Sequence, residues 1–243
     1  TFKAFSTAAL LEFTGAGLDA TFDATESIKR SRFTISDYHA EKRILTVPEV
    51  FIHSSNIGAA LMAERVGTER LRDFYKDLGF DRPLSLEISE IGNPQFPDPW
   101  RDIHTATASY GHGIAVSPLQ MVVAAASIVG DGTLLRPTLI SHGNAIKESQ
   151  NNPAIRVVSP QTAHRMRQLM RLTVTDGTGG HADVPGYRVG GKTGTADKPE
   201  RGGYSRTKKL SSFLGFFPME APRYAVFIMV DEPKGTKESY GYA

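Results

Sequence analysis

Three short stretches of this chain carry residue types that act together in acid–base and acyl chemistry. The first is Lys3, flanked by Phe2, Ala4 and Phe5 on what the pattern predicts to be a helix already under way. An ammonium among apolar groups loses hydration, its pKa falls, and the neutral amine becomes a base. The ordinary alternative is a lysine whose charge snorkels to the surface. The second stretch is Ser54-Ser55-Asn56. A hydroxyl and a carboxamide two residues apart at a helix or loop start can both point into a cleft, and the competing reading is a plain helix cap. The third is Gly190-Gly191-Lys192-Thr193-Gly194-Thr195. Glycines let another backbone approach closely, Lys192 with the hydroxyls of Thr193 and Thr195 offers donors to a carboxylate, and NH groups along an edge strand can cradle an oxyanion. The spacing is not that of a phosphate loop.

The elements that must hold these residues are mostly helical at first. TFKAFSTAALLEF reads as one helix, and the polar region from Thr14 to about Thr46, with Gly15, Gly17 and many charges, as loops and short pieces. PEVFIHSSNIGAALMAERV carries Ile57, Ala60 and Leu61 at helical spacing and is stopped by Gly67. TERLRDFYKDLGF sets Leu71, Phe74, Tyr75 and Leu78 on one stripe ended by Gly79, and IGNPQFPDPW is too rich in proline to be regular. SPLQMVVAAASIVGDG is the best-marked helix: Ser117 caps, Pro118 suits the first turn, Gln120 completes a capping box and Gly130 terminates. It is apolar nearly all round, which predicts a central place. SPQTAHRMRQLMRLTV starts similarly at Ser159-Pro160, with Met166, Leu169, Met170 and Val174 facing inward.

The last third changes character. YRVGGKTGTAD, LSSFLGFFP and RYAVFIMVDEP predict three strands, the latter two an antiparallel hairpin across Met-Glu-Ala-Pro. AVFIMV is continuously apolar, which predicts a strand covered on both faces. The expected architecture is an α/β (α+β) three-layer sandwich in one domain, its antiparallel sheet covered by helices on both faces. A sheet of three strands is small for so many helices, so further strands are expected.

Composition excludes several classes. The 28 basic and 26 acidic residues nearly balance at +2, which argues against nucleic acid and electrostatic membrane docking. The basic cluster Ser205-Arg-Thr-Lys-Lys209 reads as a solvated loop. The chain has no cysteine, hence no disulfide, thiolate metal site or Cys nucleophile. Its 7 histidines are scattered without a metal-binding spacing, so neither a metal nor a cofactor is expected. The longest apolar run, MVVAAASIV, falls well short of the ~18 residues of a membrane span.

In the order Lys, Ser-x-Asn, Lys-Thr-Gly, the three stretches resemble the active-site set of penicillin-binding proteins and serine β-lactamases, whose motifs are Ser-x-x-Lys, Ser-x-Asn and Lys-Thr-Gly. TFKAF resembles the tail of a Ser-Thr-Phe-Lys motif. RFTISDYH, TVPEVFIHSSNIGAA, SYGHGIAVSPLQM, TDGTGG and GGKTGTADKP extend the resemblance over nearly the whole chain, to the transpeptidase domain of class B penicillin-binding proteins of the Gram-negative cell-division type.

This resemblance implies a peptidoglycan D,D-transpeptidase that cross-links stem peptides at the septum through a serine acyl-enzyme formed on D-Ala-D-Ala. It implies β-lactams as covalent inhibitors, and division-machinery membrane proteins including the septal glycosyltransferase as partners. The implied location is the periplasmic face of the bacterial inner membrane, with an N-terminal transmembrane anchor outside this chain. The nucleophilic serine would immediately precede Thr1, with Lys3 as its base. Ser54 would relay the proton, Asn56 would hold the substrate amide, and Lys192 would supply positive potential. Thr193 and Thr195 would bind the terminal carboxylate, and the NH of Thr195, beside Gly194, would serve the oxyanion hole. Residues 1–243 are expected to form one transpeptidase (penicillin-binding) domain truncated at both ends, with strands before Thr1 and a helix after the closing YGYA. The second Ser-x-x-Lys, Ser205 to Lys208, is read as coincidence. Two alternatives stay open: a serine β-lactamase, disfavoured by the long insert between Asn56 and Lys192, and a non-catalytic penicillin sensor or scaffold of the same fold.

Overall fold

The computed structural model describes residues 1–140, 155–200 and 203–234; the closing YGYA lies outside them. In chain order the helices are α1 (Lys3–Phe13), α2 (Val47–Ile52), α3 (Asn56–Val66), α4 (Thr68–Asp77), α5 (Asp102–Ala108), α6 (Pro118–Val129) and α7 (Pro160–Thr175). The strands are β1 (Thr21–Asp23), β2 (Ile28–Arg30), β3 (Phe33–Ile35), β4 (Ile44–Thr46), β5 (Gly190–Glu200), β6 (Gly203–Phe217) and β7 (Tyr224–Asp231).

Helix α1 is buried from Ala4 through Leu11. Small residues on most of its sides (Ala4, Ser6, Thr7, Ala8, Ala9) let α2, α3, α4, α6 and α7 all pack against it. The two buried hydroxyls are satisfied locally: Ser6 Oγ donates to Lys3 O at 3.2 Å and to Ser109 O at 3.1 Å, and Thr7 Oγ1 lies 3.8 Å from Met62 Sδ. The start of α1 is fixed by an aromatic cluster. Phe2, Phe5 and Phe80 have ring centroids 4.9–5.8 Å apart, and Tyr75 joins them. The central place expected for α6 is therefore shared with α1.

The capping signals read from sequence are met. Ser117 and Gln120 bond reciprocally at 3.0 and 3.2 Å, and Ser159 Oγ accepts from Thr162 N at 3.2 Å. Glu12 on α1 accepts from both the NH and the hydroxyl of Ser159, which ties the first turn of α7 to α1. PEVFIHSSNIGAALMAERV forms two helices, α2 and α3: Ser54 adopts a left-handed conformation (φ 57°) and Ser55, extended, caps α3 by accepting from Gly58 N, so the Ser54–Asn56 stretch stands at a helix start. The region from Thr14 to Thr46 holds two short antiparallel pairs, β1 with β4 and β2 with β3, and α5 is an element the periodicity did not reveal.

The three expected strands form one antiparallel sheet in the order β5-β6-β7. Lys192 pairs with Leu214 and Leu214 with Phe227, so these three share a face. On that face a Cβ on Gly190 would come within 3.0 Å of the Arg171 nitrogen, so β5 lies directly on α7. Along β7 the described residues leave Tyr224, Val226, Ile228, Met229 and Val230 exposed and Phe227 half-buried, so they do not by themselves supply the cover on both faces expected for this apolar run. The basic cluster at Ser205–Lys209, expected to be a loop, is strand: Lys209 Nζ reaches Asp197 across the β5–β6 pair at 2.8 Å. No helix among the described residues is long and apolar enough to cross a membrane.

The α2–α3 elbow is held by close packing, since a Cβ on Gly58 would fall 2.5–2.6 Å from both Val50 methyls. Gly58→Ala is expected to destabilise the fold by about 1–3 kcal/mol through overpacking, and Val50→Ala in the same chain to recover part of that loss. Denaturant midpoints of the single and double variants measure the coupling.

Candidate active site

The N-terminal end of α1, the α2–α3 elbow and the start of β5 converge on one point. Lys3 Nζ donates to Ser54 Oγ at 3.2 Å, across 51 positions of sequence. Ser54 presents its hydroxyl from a left-handed backbone that costs a non-glycine residue roughly 1–2 kcal/mol. Neighbouring bonds hold it there: Ser54 N donates to Phe51 O at 3.3 Å and Ser55 N to Val50 O at 3.0 Å. Asp37, in the segment between β3 and β4, accepts on Oδ2 from Ser55 Oγ at 2.7 Å. Its Oδ1 accepts from Asn56 N at 2.5 Å and Ile57 N at 3.0 Å. Asn56 Nδ2 donates to Ser36 O at 2.9 Å, so the carboxamide is anchored to the same segment.

Lys192 enters from β5 fully buried, with its Nζ 5.6 Å from the centroid of the Phe51 ring. Among the described residues that nitrogen has no hydrogen-bond partner. Burial, then the charge of Lys3, lower the Lys192 pKa from the ordinary 10.5 to about 7. Burial likewise lowers Lys3 to about 8, opposed by the negative charge of Asp37. Both amines are thus within reach of proton transfer near neutral pH, a condition that desolvation chiefly sets up.

Strand β5 comes this close because Gly194 has no side chain: a Cβ there would collide with the nitrogen and hydroxyl of Thr1. Ser212 Oγ, on β6, donates to Gly194 O at 3.2 Å and lies 3.4 Å from Thr1 Oγ1. Thr193 Oγ1 is 2.7 Å from Thr178 Oγ1 in the loop after α7, and Thr195 is exposed. A further wall is the loop after α5, where Gly111 (φ 99°) lies over Phe2 with room for no side chain. His112 on this loop has its pKa lowered by burial; Asp197 opposes that shift, while the Lys3 charge adds to it.

The structure therefore brings Lys3, Ser54 and Lys192 together and sets Asn56, Thr193, Gly194 and Thr195 around them. Sequence reasoning gave no role to Asp37, Phe51, His112, Thr178 or Ser212. Asp37, His112 and Thr178 lie in RFTISDYH, SYGHGIAVSPLQM and TDGTGG, stretches that carried the family resemblance without exposing what each side chain touches. Among the described residues no three His, Asp or Glu are grouped to hold a metal ion.

Burying Lys192 with no hydrogen-bond partner among the described residues has a measurable consequence. Because its folded pKa of about 7 lies below the ordinary 10.5, the unfolded chain binds more protons between those values. The stability of the fold rises with pH through that window, and the cost is fully present below it. Lys192→Met is accordingly expected to raise the melting temperature at pH 6 more than at pH 10. Equal shifts at both pH values would contradict a desolvated Lys192.

Comparisons with known proteins bear on the same chain. Residues 1–243 match the family described as "Penicillin binding protein transpeptidase domain". The chain is 41% identical over 252 residues to the probable peptidoglycan D,D-transpeptidase FtsI of Caulobacter vibrioides, covering 100% of this chain and 42% of that protein. It is 35% identical over 199 residues to stage V sporulation protein D of Bacillus subtilis, covering 79% of this chain and 31% of that one. Among solved structures, the transpeptidase domain of Burkholderia pseudomallei penicillin-binding protein 3 superposes with a TM-score of 0.86 at 33% identity, over 96% of this chain and 70% of that chain. Penicillin-binding protein 3 of Mycobacterium tuberculosis, in complex with aztreonam, gives 0.86 at 29% identity, over 96% and 55%. The chain spans less than half the length of these two curated relatives. The α+β architecture expected from the sequence is the fold of these transpeptidase domains.

Proposed function

Because this chain belongs to the penicillin-binding protein transpeptidase domain family, we propose that the protein carrying it is a serine-type D,D-transpeptidase of the cell-division type. Its substrates are peptidoglycan stem peptides ending in D-Ala-D-Ala, and β-lactams acylate the same site. The observation that carries this reading is the Lys3 Nζ to Ser54 Oγ contact of 3.2 Å. It joins an amine with a pKa of about 8 to a hydroxyl that can hand a proton onward.

The family motif places the nucleophilic serine one position before Thr1, one helical turn from Lys3 and on its face. Lys3 accepts the serine proton as the oxygen bonds to the carbonyl carbon of the penultimate D-alanine. The oxyanion is met by NH groups of the serine and Thr195, and the positive potential of Lys192 strengthens the site. As the peptide bond breaks, the proton passes from Lys3 through Ser54 to the departing D-alanine amine. An amine from a neighbouring stem then attacks the acyl-enzyme, its proton returns through Ser54 and Lys3 to the serine oxygen, and the cross-link is formed. Asn56 holds the substrate amide, while Thr193, kept in place by Thr178, and Thr195 bind the terminal carboxylate. Work at the septum beside a membrane-bound glycosyltransferase, on the periplasmic face of the inner membrane, completes the proposal. It rests on the likeness to cell-division relatives.

Labelling the full native protein with a fluorescent penicillin, followed by peptide mass mapping, tests the reading. The adduct is expected on the residue before Thr1. Lys3→Ala is expected to slow acylation by roughly 10²–10⁴-fold, the usual contribution of a general base. In the unaltered protein the rate should rise with pH as Lys3, with a pKa of about 8, loses its proton, and fall as Lys192, at about 7, loses its charge, which gives a narrow optimum between the two. An adduct on Ser205, no adduct, or rapid penicillin turnover would overturn the proposal, the last in favour of a β-lactamase.

A further inference from the structure

We propose that Asp37 is a positioning residue of this site: its carboxylate clamps the Ser54–Asn56 elbow onto the start of α3 and supplies the negative field that acts on Lys3. The proposal rests on the acyl-transfer reading above and extends it to a residue outside the three motifs.

The geometry is that of a two-sided clamp. One carboxylate oxygen takes the Ser55 hydroxyl at 2.7 Å, and the other takes the NH groups of Asn56 and Ile57 at 2.5 and 3.0 Å. These are three donors from three consecutive residues, received by a half-buried group that lies 18–20 positions earlier in the chain. Capping alone does not call for this, since Ser55 already caps α3 by accepting from Gly58 N at 2.9 Å. What the clamp adds is a fixed relation between the β3–β4 segment and the residues directly after Ser54. The same segment binds the Asn56 carboxamide through Ser36 O at 2.9 Å. A left-handed serine has few ways to stay in place, and its hydroxyl must meet Lys3 within hydrogen-bonding distance.

Charge gives the second half of the argument. Lys3 is faced by Lys192 from β5 and by His112 from the loop after α5. Asp37, from the β3–β4 segment, acts on Lys3 with the opposite sign and favours its protonated form. Asp197 is a second carboxylate on this side, acting on His112. Removing the Asp37 charge while leaving an acceptor oxygen should therefore let Lys3 lose its proton at lower pH. Removing the whole group should also release the elbow.

The test is the pH dependence of acylation by a fluorescent penicillin in the full native protein and in Asp37→Asn and Asp37→Ala, with melting temperatures alongside. Asp37→Asn is expected to move the rising limb of the rate to lower pH. Asp37→Ala is expected to slow acylation on the order of 10²-fold through misplacement of Ser54, and Asp37→Glu to recover part of the rate. The Lys3 pKa, followed by NMR of 13C-labelled lysine in Asp37→Asn, is expected to fall and does not require activity. A variant that melts normally with an unshifted limb and an unchanged Lys3 titration would overturn the proposal, as would a lower rate that merely follows a lower melting temperature. If the unaltered protein takes no label, the acyl-transfer reading fails, and the Asp37 field then stands or falls on the Lys3 titration alone.

Discussion

The hydrogen bond from Lys3 to Ser54 exists because the fold withdraws an ammonium group from water, and such a withdrawal opposes folding unless much else is gained in return. The remainder of the helical layer can be understood as what makes the withdrawal affordable. Phe2, Phe5, Tyr75 and Phe80 lock the first turn of α1, and small side chains along its length allow the surrounding helices to close over it. A second lysine arrives from the sheet at the same place, and each charge makes the other harder to keep. Two amines of depressed basicity at one site are poor structural glue and good acid–base equipment.

The site is also assembled across long sequence separations. Lys3, Ser54, Asp37 and Lys192 come from a helix, an elbow, an irregular segment and a strand, and little in the local propensity of any of them demands their meeting. The meeting is enforced by absences of bulk: Gly58 against Val50, Gly111 against Phe2, Gly190 against α7 and Gly194 against Thr1. At each of these a methyl group would meet occupied space. The chemistry is carried by polar side chains, but its geometry is written largely in glycine.

Much of this is legible in the sequence itself. The capping signals at Ser117 and Ser159, the stripe of Leu71, Phe74, Tyr75 and Leu78, and the three strands each follow from local physics that tertiary contacts reinforce. The order of the three motifs gave the family. Ser54–Asn56 was legible as a helix or loop start, but the left-handed turn at Ser54 was not, because what holds the next residues is Asp37, far away in sequence. Asp37, Phe51 and Thr178 stayed hidden for the same reason: an aspartate, a phenylalanine and a threonine are common, and partnership alone makes them part of a site.

The contact of Gly194 with Thr1 carries a consequence for how this surface can vary over time. With Thr1, just ahead of α1, seated against the strand backbone, the seam between helix and sheet has no slack, so a larger residue in place of Gly194 displaces one wall of the cleft as a unit. Substitutions that retune which ligands enter are therefore steered away from the seam toward the rim. The innermost part of the cleft is conservative by mechanics, and the freedom to diversify lies at its mouth.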